Sequence, residues 1–311
     1  MNDMQMPAQG NRPTHADWLA RMDQIGNMHG FFDRVGAHHR ALYVQEGDTL
    51  LVTFDEVGRI IRNGRDALPV GFDAVSKREW SYLGLMAEGD TWFRDEALYR
   101  FFDRLIDDGF FDSFDQVIFL GAGPMCGYAA AAYSVAAPGA KVLALSPAAT
   151  LDRDAAPYEL RFRKAWRKTF TDRFGYAPDM IGAASEAFII YDPLELLDAA
   201  HAAQFRGRNV TRLRFRGAGR NLLSLLDPNA NLDRLLKATG NGRMSPLRFA
   251  QITRRLRQTN PAYLKRLLDR AEERGGTKLP YIVAQRGLAA TGDAHFARHM
   301  MTLEATDAGT A

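Results

Sequence analysis

The chain has 311 residues, of which 46% are hydrophobic and 25% charged, and its net charge is +3. This is the composition of an ordinary globular protein, and the length is enough for one large domain with an appendage. A single cysteine excludes an internal disulfide framework and is typical of a reducing cytoplasm. No apolar run approaches the roughly 20 residues of a membrane span, and the N-terminus lacks the features of a secretory signal. We therefore expect a cytoplasmic protein without a membrane span.

The first third of the chain predicts three strands and one amphipathic helix. Residues 1–38 are interpreted as a tail with a helical lead-in, and residues 41–54 as two strands joined by a turn at Glu46 to Asp48. Residues 62–80 are polar and interrupted by glycine and proline, which predicts a surface loop, and a strand follows up to Met86. Residues 95–108 predict a helix, because six apolar side chains share one face: Ala97, Leu98, Phe101, Phe102, Leu105 and Ile106.

The central stretch, residues 114–136, predicts a buried strand, a glycine-rich turn and an alanine-rich helix. Residues 117–120 form an uninterrupted apolar run, which is typical of a strand inside a parallel sheet that helices cover on both faces. The turn contains Gly121 and Gly123, but Cys126 stands where a dinucleotide-binding motif needs its third glycine. We therefore predict no bound cofactor.

Beyond this stretch the pattern predicts further strands and then helices. Residues 141–145, 188–191 and 210–215 read as strands, and residues 226–285 as a basic helical appendage followed by a flexible tail over 286–311. Residues 161–173 predict an amphipathic helix, since three aromatic residues recur at four-residue spacing among six basic ones. Basic residues interleaved with aromatic ones also occur in nucleic-acid-binding segments. The aromatic residues are Phe162, Trp166 and Phe170, and the basic ones are Arg161, Arg163, Lys164, Arg167, Lys168 and Arg173.

Two segments carry a resemblance to a known superfamily. The segments MCGYAA at 125–130 and LSPAATLD at 145–152 resemble a bacterial group of α/β-hydrolases with a GxSMGGYAA turn and a SPQATLD segment. The resemblance covers about residues 40–230 and implies an α/β-hydrolase-like domain over 39–225. It also suggests a setting in surface-polysaccharide biosynthesis. Some members of the group are labelled phosphoadenosine phosphosulfate reductase, but the SGGxDS phosphate loop of such reductases does not occur in this chain.

The resemblance also shows where a catalytic triad would stand, and no intact triad is present. Depending on the register, Gly123 or Pro124 occupies the nucleophile position, and neither has an attacking oxygen. The backbone favours Gly123 at the turn, because proline cannot adopt a positive φ and is well suited to the first position of a helix. Asp192 matches the acid, while Arg220 stands where the base would be and cannot accept a proton at neutral pH. In the structural alternative, Asp192 simply starts the helix over 193–203.

Four residues are candidates to rescue activity. Cys126 would lie near a helix N-terminus, which lowers the pKa of a thiol, although a cysteine at this position is more often buried. Ser134 and Ser146 are alternative displaced nucleophiles, and His201 is a candidate for a relocated base.

Charge and histidine patterns bear on partners and metals. Residues 201–275 contain 17 Lys and Arg against 5 Asp and Glu, a net charge of +12 in a chain whose total is +3. This asymmetry predicts an acidic partner: a polyanionic glycan, a phosphate-bearing molecule, nucleic acid or the acidic part of a second copy, which leaves oligomerisation possible. No helix-turn-helix, zinc-finger or RNP signature is present, which disfavours nucleic acid. His295 and His299 have helical metal-ligand spacing but lack a third ligand, so no metal site is predicted.

Three classes of function remain open. The leading hypothesis is a catalytically degenerate α/β-hydrolase-fold protein, a pseudoenzyme that binds a ligand or partner. The second is an active hydrolase or acyltransferase with a displaced nucleophile. The third is an interaction protein that binds an anionic polymer through basic helices, and its affinity must then fall with ionic strength.

Overall fold

The computed structural model describes residues 13–63, 67–226 and 230–308, and its centre is an eight-stranded sheet. The order across the sheet is β1-β2-β4-β3-β5-β6-β7-β8. The first two strands run antiparallel to their neighbours, and all pairs from β4–β3 to β7–β8 are parallel. The strands are β1 Gly30–Val35, β2 His39–Val44, β3 Thr49–Glu56, β4 Ser81–Ala87, β5 Gln116–Ala122, β6 Lys141–Leu145, β7 Glu186–Tyr191 and β8 Val210–Arg214.

Helices cover both faces of the sheet, as its apolar strands require. The α-helices are α1 His15–His29, α2 Val57–Asn63, α3 Phe72–Ser76, α4 Glu96–Asp107, α5 Pro124–Tyr133, α6 Ala177–Met180, α7 Leu196–Gln204, α8 Leu222–Leu226, α9 Asn231–Gly240, α10 Pro246–Thr259, α11 Pro261–Glu272, α12 Lys278–Thr291 and α13 Ala294–Ala308. Side chains of α4 to α7 belong to the core on one face. Those of α1 to α3 and α8 to α10 belong to the core on the other. The described residues include no helix long and apolar enough to cross a membrane.

Strand order and strand directions are those of the α/β-hydrolase fold, so the predicted fold class is confirmed. The central helix α5 lies directly on the sheet because its side chains are small. Ala129 to Ala132 are fully buried, and Gly121 of β5 has no room for a side chain. A Cβ atom on Gly121 would lie 2.0 Å from the carbonyl oxygen of Cys126. The glycine therefore sets how closely the start of α5 approaches the strand.

Several predicted boundaries differ from the structure. The sheet begins at Gly30 rather than 39, and α1 buries Trp18 completely, so only part of 1–38 could be a tail; residues 1–12 lie outside the described residues. The predicted loop over 62–80 contains α3, and its residues 64–66 are not described. Helices α9 and α10 pack on the sheet, and α11 contributes Tyr263 to the same core, while other side chains of α11 form a small separate cluster with α12 and α13.

The predicted flexible tail over 286–311 is wrong up to Ala308, because α12 and α13 occupy it. Phe296 of α13 is fully buried, and Gly287 of α12 makes space for its ring. A Cβ atom on Gly287 would lie 2.6 Å from that ring. This contact between two helices has no counterpart in a local sequence pattern.

The predicted amphipathic helix over 161–173 is also absent. Only a short 3-10 helix, Arg163–Arg167, forms there. Phe162 and Phe170 instead contact Trp92, with ring centroids 4.9 and 6.1 Å away. The four-residue spacing of these aromatic side chains therefore does not indicate a helix. The segment is irregular, and its aromatic rings pack against a distant loop.

Candidate functional site

Gly123 forms the turn between the central strand β5 and helix α5. Its φ of 89° and ψ of 170° place it in a region of backbone space that is essentially restricted to glycine. Pro124 is the first residue of α5, where its missing N–H leaves no hydrogen bond unmade. The backbone thus adopts the register that the sequence favours, with glycine in the turn and proline opening the helix.

This geometry excludes a nucleophile at the turn as the chain stands. Gly123 has no side chain, and no other residue type adopts its backbone conformation without strain. Pro124 cannot donate a backbone hydrogen bond to an oxyanion, which is the role of the residue after the nucleophile in this fold. The turn therefore presents neither a side-chain oxygen at position 123 nor a backbone N–H at position 124.

A substitution at Gly123 measures this backbone restriction directly. A Cβ atom on Gly123 would meet nothing within 4 Å, so any cost of Gly123→Ala comes from the backbone and not from a clash. We expect the free energy of unfolding to fall by about 1–3 kcal/mol. The matched control is Gly182→Ala, because Gly182 is equally uncrowded but has no positive φ.

Urea denaturation of both variants separates the two effects. The control should be unchanged or more stable by about 0.4–1 kcal/mol, since alanine restricts the unfolded chain. Equal stability of the two variants would show that Gly123 can adopt another conformation at no cost.

Asp55 of β3 and Arg59 of α2 form a largely buried ion pair where the strand passes into the helix, the region that supplies the other oxyanion donor in this fold. Nε and Nη2 of Arg59 donate to Oδ1 of Asp55 over 3.0 and 2.7 Å, and Val70 N donates to Oδ2 over 2.9 Å. Nη1 of Arg59 donates to the carbonyl oxygen of Ala122, next to the turn, over 2.9 Å. The positive charge of the Arg59 guanidinium thus balances the negative charge of the Asp55 carboxylate. Asp55 stands in a strand and Arg59 in the following helix, so the helical i, i+4 rule does not apply and no local pattern predicts the pair.

The loop after β4 covers the start of α5 with aromatic side chains. Trp92 and Phe93 both have a positive φ, of 55° and 54°, and both are buried. The Trp92 ring packs on Tyr128 of α5, and Trp92 N donates to Sδ of Met125 over 3.2 Å. Two consecutive left-handed aromatic residues form a strained backbone that the surrounding packing must hold. Nothing in the local sequence indicated this loop.

Asp192 follows β7, as predicted, and its side chain is fully buried. Its Oδ1 accepts from Leu194 N over 2.9 Å and its Oδ2 accepts from Gly219 N over 2.8 Å. The carboxylate therefore joins the loop after β7 to the loop after β8 through backbone amides. It binds no imidazole among the described residues, and α7 begins only at Leu196 with Glu195 as its N-cap, so Asp192 does not start that helix as the structural alternative predicts.

Arg220 projects from the loop after β8 into solvent. Its side chain is 67% exposed and pairs with Glu195, with Nε 2.9 Å from Oε2. The guanidinium is not directed at a buried acid, and it cannot serve as a base. Arg220 is therefore part of a surface ion pair.

His201 lies on α7, inside a buried polar network, and both of its ring nitrogens are engaged. Nδ1 accepts from Ala149 N over 3.1 Å, so the proton is on Nε2, which donates to Oε2 of Glu159 over 3.0 Å. Arg161 bridges Glu159 and Asp198, with Nη distances of 2.6 Å to each. No lone pair of His201 is left to accept a proton from a nucleophile. The ring instead links α7 to the segment after β6 through its hydrogen bonds with Ala149 and Glu159.

Cys126 is buried in the first turn of α5. Burial raises the pKa of its thiol to about 12, although the nearby Arg59 acts in the opposite direction. Since the thiolate is the reactive form, the thiol is chemically quiet near neutral pH. The environment of Cys126 is that of a packed side chain, contrary to the rescue hypothesis.

The two candidate serines differ in their surroundings. Ser134 is buried, and its Oγ donates to Ala131 O over 2.8 Å, which is an ordinary bond at the end of α5. Ser146 follows β6, beside the turn, with a φ of 47° and an Oγ that has no hydrogen-bond partner. It is 1% exposed, so a substrate has no open path to its hydroxyl in this conformation.

The remaining candidate sites are the histidine pair near the C-terminus and the surface cavities. Within the described ranges, no group of three or more His, Cys, Asp or Glu side chains could hold a metal ion. His299 approaches Glu272, with Nε2 3.4 Å from Oε1, and the ring centroids of His295 and His299 are 4.4 Å apart with the rings tilted by 40°. A surface cavity of about 680 Å³ is lined by Arg94, Tyr99, Asp172 and other residues of the α4 side, none of them from the turn.

Comparison with known proteins finds similar solved structures at low sequence identity and low TM-score. No protein-family model matches the sequence, and no curated protein sequence is significantly similar to it. An esterase from Pyrobaculum calidifontis is similar with a TM-score of 0.46 and 13% identity, over 74% of this chain and 91% of its own. Est1E from Butyrivibrio proteoclasticus has a TM-score of 0.43 and 12% identity, over 68% of this chain and 98% of its own.

A variant of the capsule O-acetyltransferase of Neisseria meningitidis serogroup A, solved with CoA, is also similar. Its TM-score is 0.42 and its identity 12%, over 66% of this chain and 92% of its own. Identities this low bear on the fold alone.

Proposed function

We propose that this protein is a catalytically degenerate member of the α/β-hydrolase fold, which binds a ligand or partner instead of turning over an ester. The observation that carries the proposal is that Gly123, which has no side chain, occupies the strained turn between β5 and α5, so no side-chain atom is placed there to attack a carbonyl carbon. Pro124 without an N–H, the exposed Arg220 and the fully engaged ring of His201 support the same conclusion.

Ester hydrolysis tests the lost activity. We expect p-nitrophenyl acetate to be hydrolysed in the presence of the protein at the rate of the buffer, because neither nucleophile nor base is in place. Cys126→Ala and Ser146→Ala should behave identically to the parent chain. An enzymatic rate that one of these substitutions removes would overturn the proposal and identify the nucleophile.

The alternative is an active hydrolase or acyltransferase with a displaced nucleophile, and one observation favours Ser146 for that role. A non-glycine residue with positive φ directly before a proline is unusual, and a buried hydroxyl without a partner is equally so. Such features cluster at functional sites. Against this alternative, no imidazole is within hydrogen-bonding distance of the Ser146 hydroxyl in the described part of the chain.

A setting in surface-polysaccharide metabolism is supported only by the resemblance of the segments MCGYAA and LSPAATLD. Deletion of the gene in the source organism should change the amount or substitution of its surface polysaccharide. Complementation with Cys126→Ala should restore the parental polysaccharide, because that thiol has no catalytic part in the proposal. An unaltered polysaccharide after deletion would remove this setting while leaving the inactive turn as it is.

A further inference from the structure

The outermost strand, β8, carries an unusual concentration of positive charge. Residues 206–220 contain six arginines, and no aspartate or glutamate occurs from 199 to 226. All six are exposed. Four of them, Arg208, Arg212, Arg214 and Arg216, form no side-chain hydrogen bond or ion pair with the residues that the structure describes. The basic character predicted for 201–275 is therefore densest on a strand and its flanking turns, not on the helices.

Arg212 and Arg214 project from one face of β8, because side chains two residues apart in a strand point the same way. Leu213 and Phe215, on the opposite face, are buried in the core. Successive guanidinium groups are thus offered at intervals of about 6.6 Å along the strand. A strand paired with β8 would carry its own alternate side chains at the same spacing, so each could lie opposite one of these arginines.

The backbone of β8 is open on its outer side. Asn209 O accepts from Ala187 N, and Phe215 N donates to Tyr191 O, so the odd-numbered residues between them bond toward β7. Since the direction of backbone groups alternates along a strand, the N–H and C=O groups of Arg212 and Arg214 point outward. No other strand of the described residues pairs with this edge. An unpaired edge is a template for the addition of another strand.

We propose that the outer edge of β8 binds an extended acidic peptide segment of a partner protein as a ninth strand. The backbone groups of Arg212 and Arg214 pair with the added strand, and their guanidinium groups bind carboxylates at every second residue of it. A second copy of β8 is rejected, because its own arginines would be brought against these. The charged edge therefore selects against self-association and for an acidic partner.

A binding experiment with designed peptides separates strand addition from simple charge attraction. The probes are a fluorescent dodecapeptide of alternating Glu and Thr, a dodecapeptide of alternating Glu and Pro with the same charge, and hyaluronate as an anionic polysaccharide. We expect the Glu/Thr peptide to bind and the Glu/Pro peptide to bind at least about tenfold more weakly, because proline cannot pair in a strand. Equal binding of both peptides, or tighter binding of hyaluronate, would overturn the proposal in favour of unspecific charge attraction.

Matched charge reversals locate the site. Arg212→Glu with Arg214→Glu should weaken the Glu/Thr peptide by about tenfold or more, since two attractions become repulsions. Arg100→Glu with Arg104→Glu on α4, a helix that contacts β1 at the opposite edge of the sheet, makes the same change in net charge at exposed side chains and should leave the affinity within about twofold. Hydrogen exchange at the amides of Arg212 and Arg214 should slow on binding.

Failure of the Glu/Thr peptide to bind at low ionic strength, or equal effects of the two double variants, contradicts an acidic strand at this edge. This partner deepens the binding role proposed above and rests on it. The two tests are separable, because peptide binding at β8 and ester hydrolysis at the turn are measured independently.

Discussion

Replacing Glu159 by alanine is expected to lower the free energy of unfolding by about 3–5 kcal/mol, because it leaves buried polar partners without their acceptor. The Glu159 side chain is 1% exposed and binds both His201 and Arg161. Its removal leaves Nε2 of His201 unpaired inside the protein and weakens the link between the segment after β6 and α7. Urea denaturation measures the loss.

The control for Glu159→Ala is Glu96→Ala, which breaks an exposed ion pair with Arg100 on α4. Exposed pairs of this kind contribute about 0.3–0.5 kcal/mol. A loss for Glu159→Ala as small as that of the control would show that the buried network does not hold these elements together.

The same network predicts how stability depends on pH. Burial alone would raise the pKa of Glu159, but hydrogen bonds from His201 and Arg161 outweigh it and lower the pKa to about 2 from an ordinary 4.5. The stabilisation is therefore complete above pH 4.5 and is lost as the pH falls toward 2. Glu159→Gln cannot titrate, so its stability should fall less steeply over this interval than that of the parent chain.

Replacing Asp192 by alanine is expected to lower the free energy of unfolding by about 2–4 kcal/mol, because two buried amides lose a charged acceptor. These are Leu194 N and Gly219 N, which belong to loops on neighbouring strands. Asp192→Asn keeps one acceptor oxygen and should cost less than Asp192→Ala. Chemical denaturation of the two variants measures both values.

These two amide bonds give Asp192 a structural role between the loops after β7 and β8. If Asp192→Ala unfolds at the same urea concentration as the parent chain, the carboxylate does not stabilise the fold. That result would contradict the structural role of Asp192. The pair Asp192→Ala and Asp192→Asn also distinguishes a lost acceptor from a lost charge.

The central strand, turn and helix could be read from the sequence because each depends on nearby residues. An apolar run predicts the buried strand, a glycine permits the positive φ, and a proline suits the first helical position. All three signals lie within residues 117–124, so no distant contact is needed. The prediction that no intact triad is present rests on residue identity alone.

The environment of the site could not be read in this way. Glu159 and His201 are 42 residues apart, and Asp192 and Gly219 are 27 apart, so only the assembled sheet brings them together. The sequence therefore presented His201 as an available base and gave no sign that both its nitrogens are engaged. The residues around Phe162 and Phe170 matched a helical pattern, but their rings contact Trp92 in a loop far away along the chain.

If the protein is catalytically degenerate as proposed, no reactive group stands at the turn after β5. Intact-mass spectrometry of the native protein after incubation with a fluorophosphonate probe and with iodoacetamide tests it most directly. We predict an unmodified mass with both reagents, and modification of Cys126 by iodoacetamide only after unfolding in urea. Stoichiometric fluorophosphonate addition to Ser146 or another serine of the native chain would contradict the account.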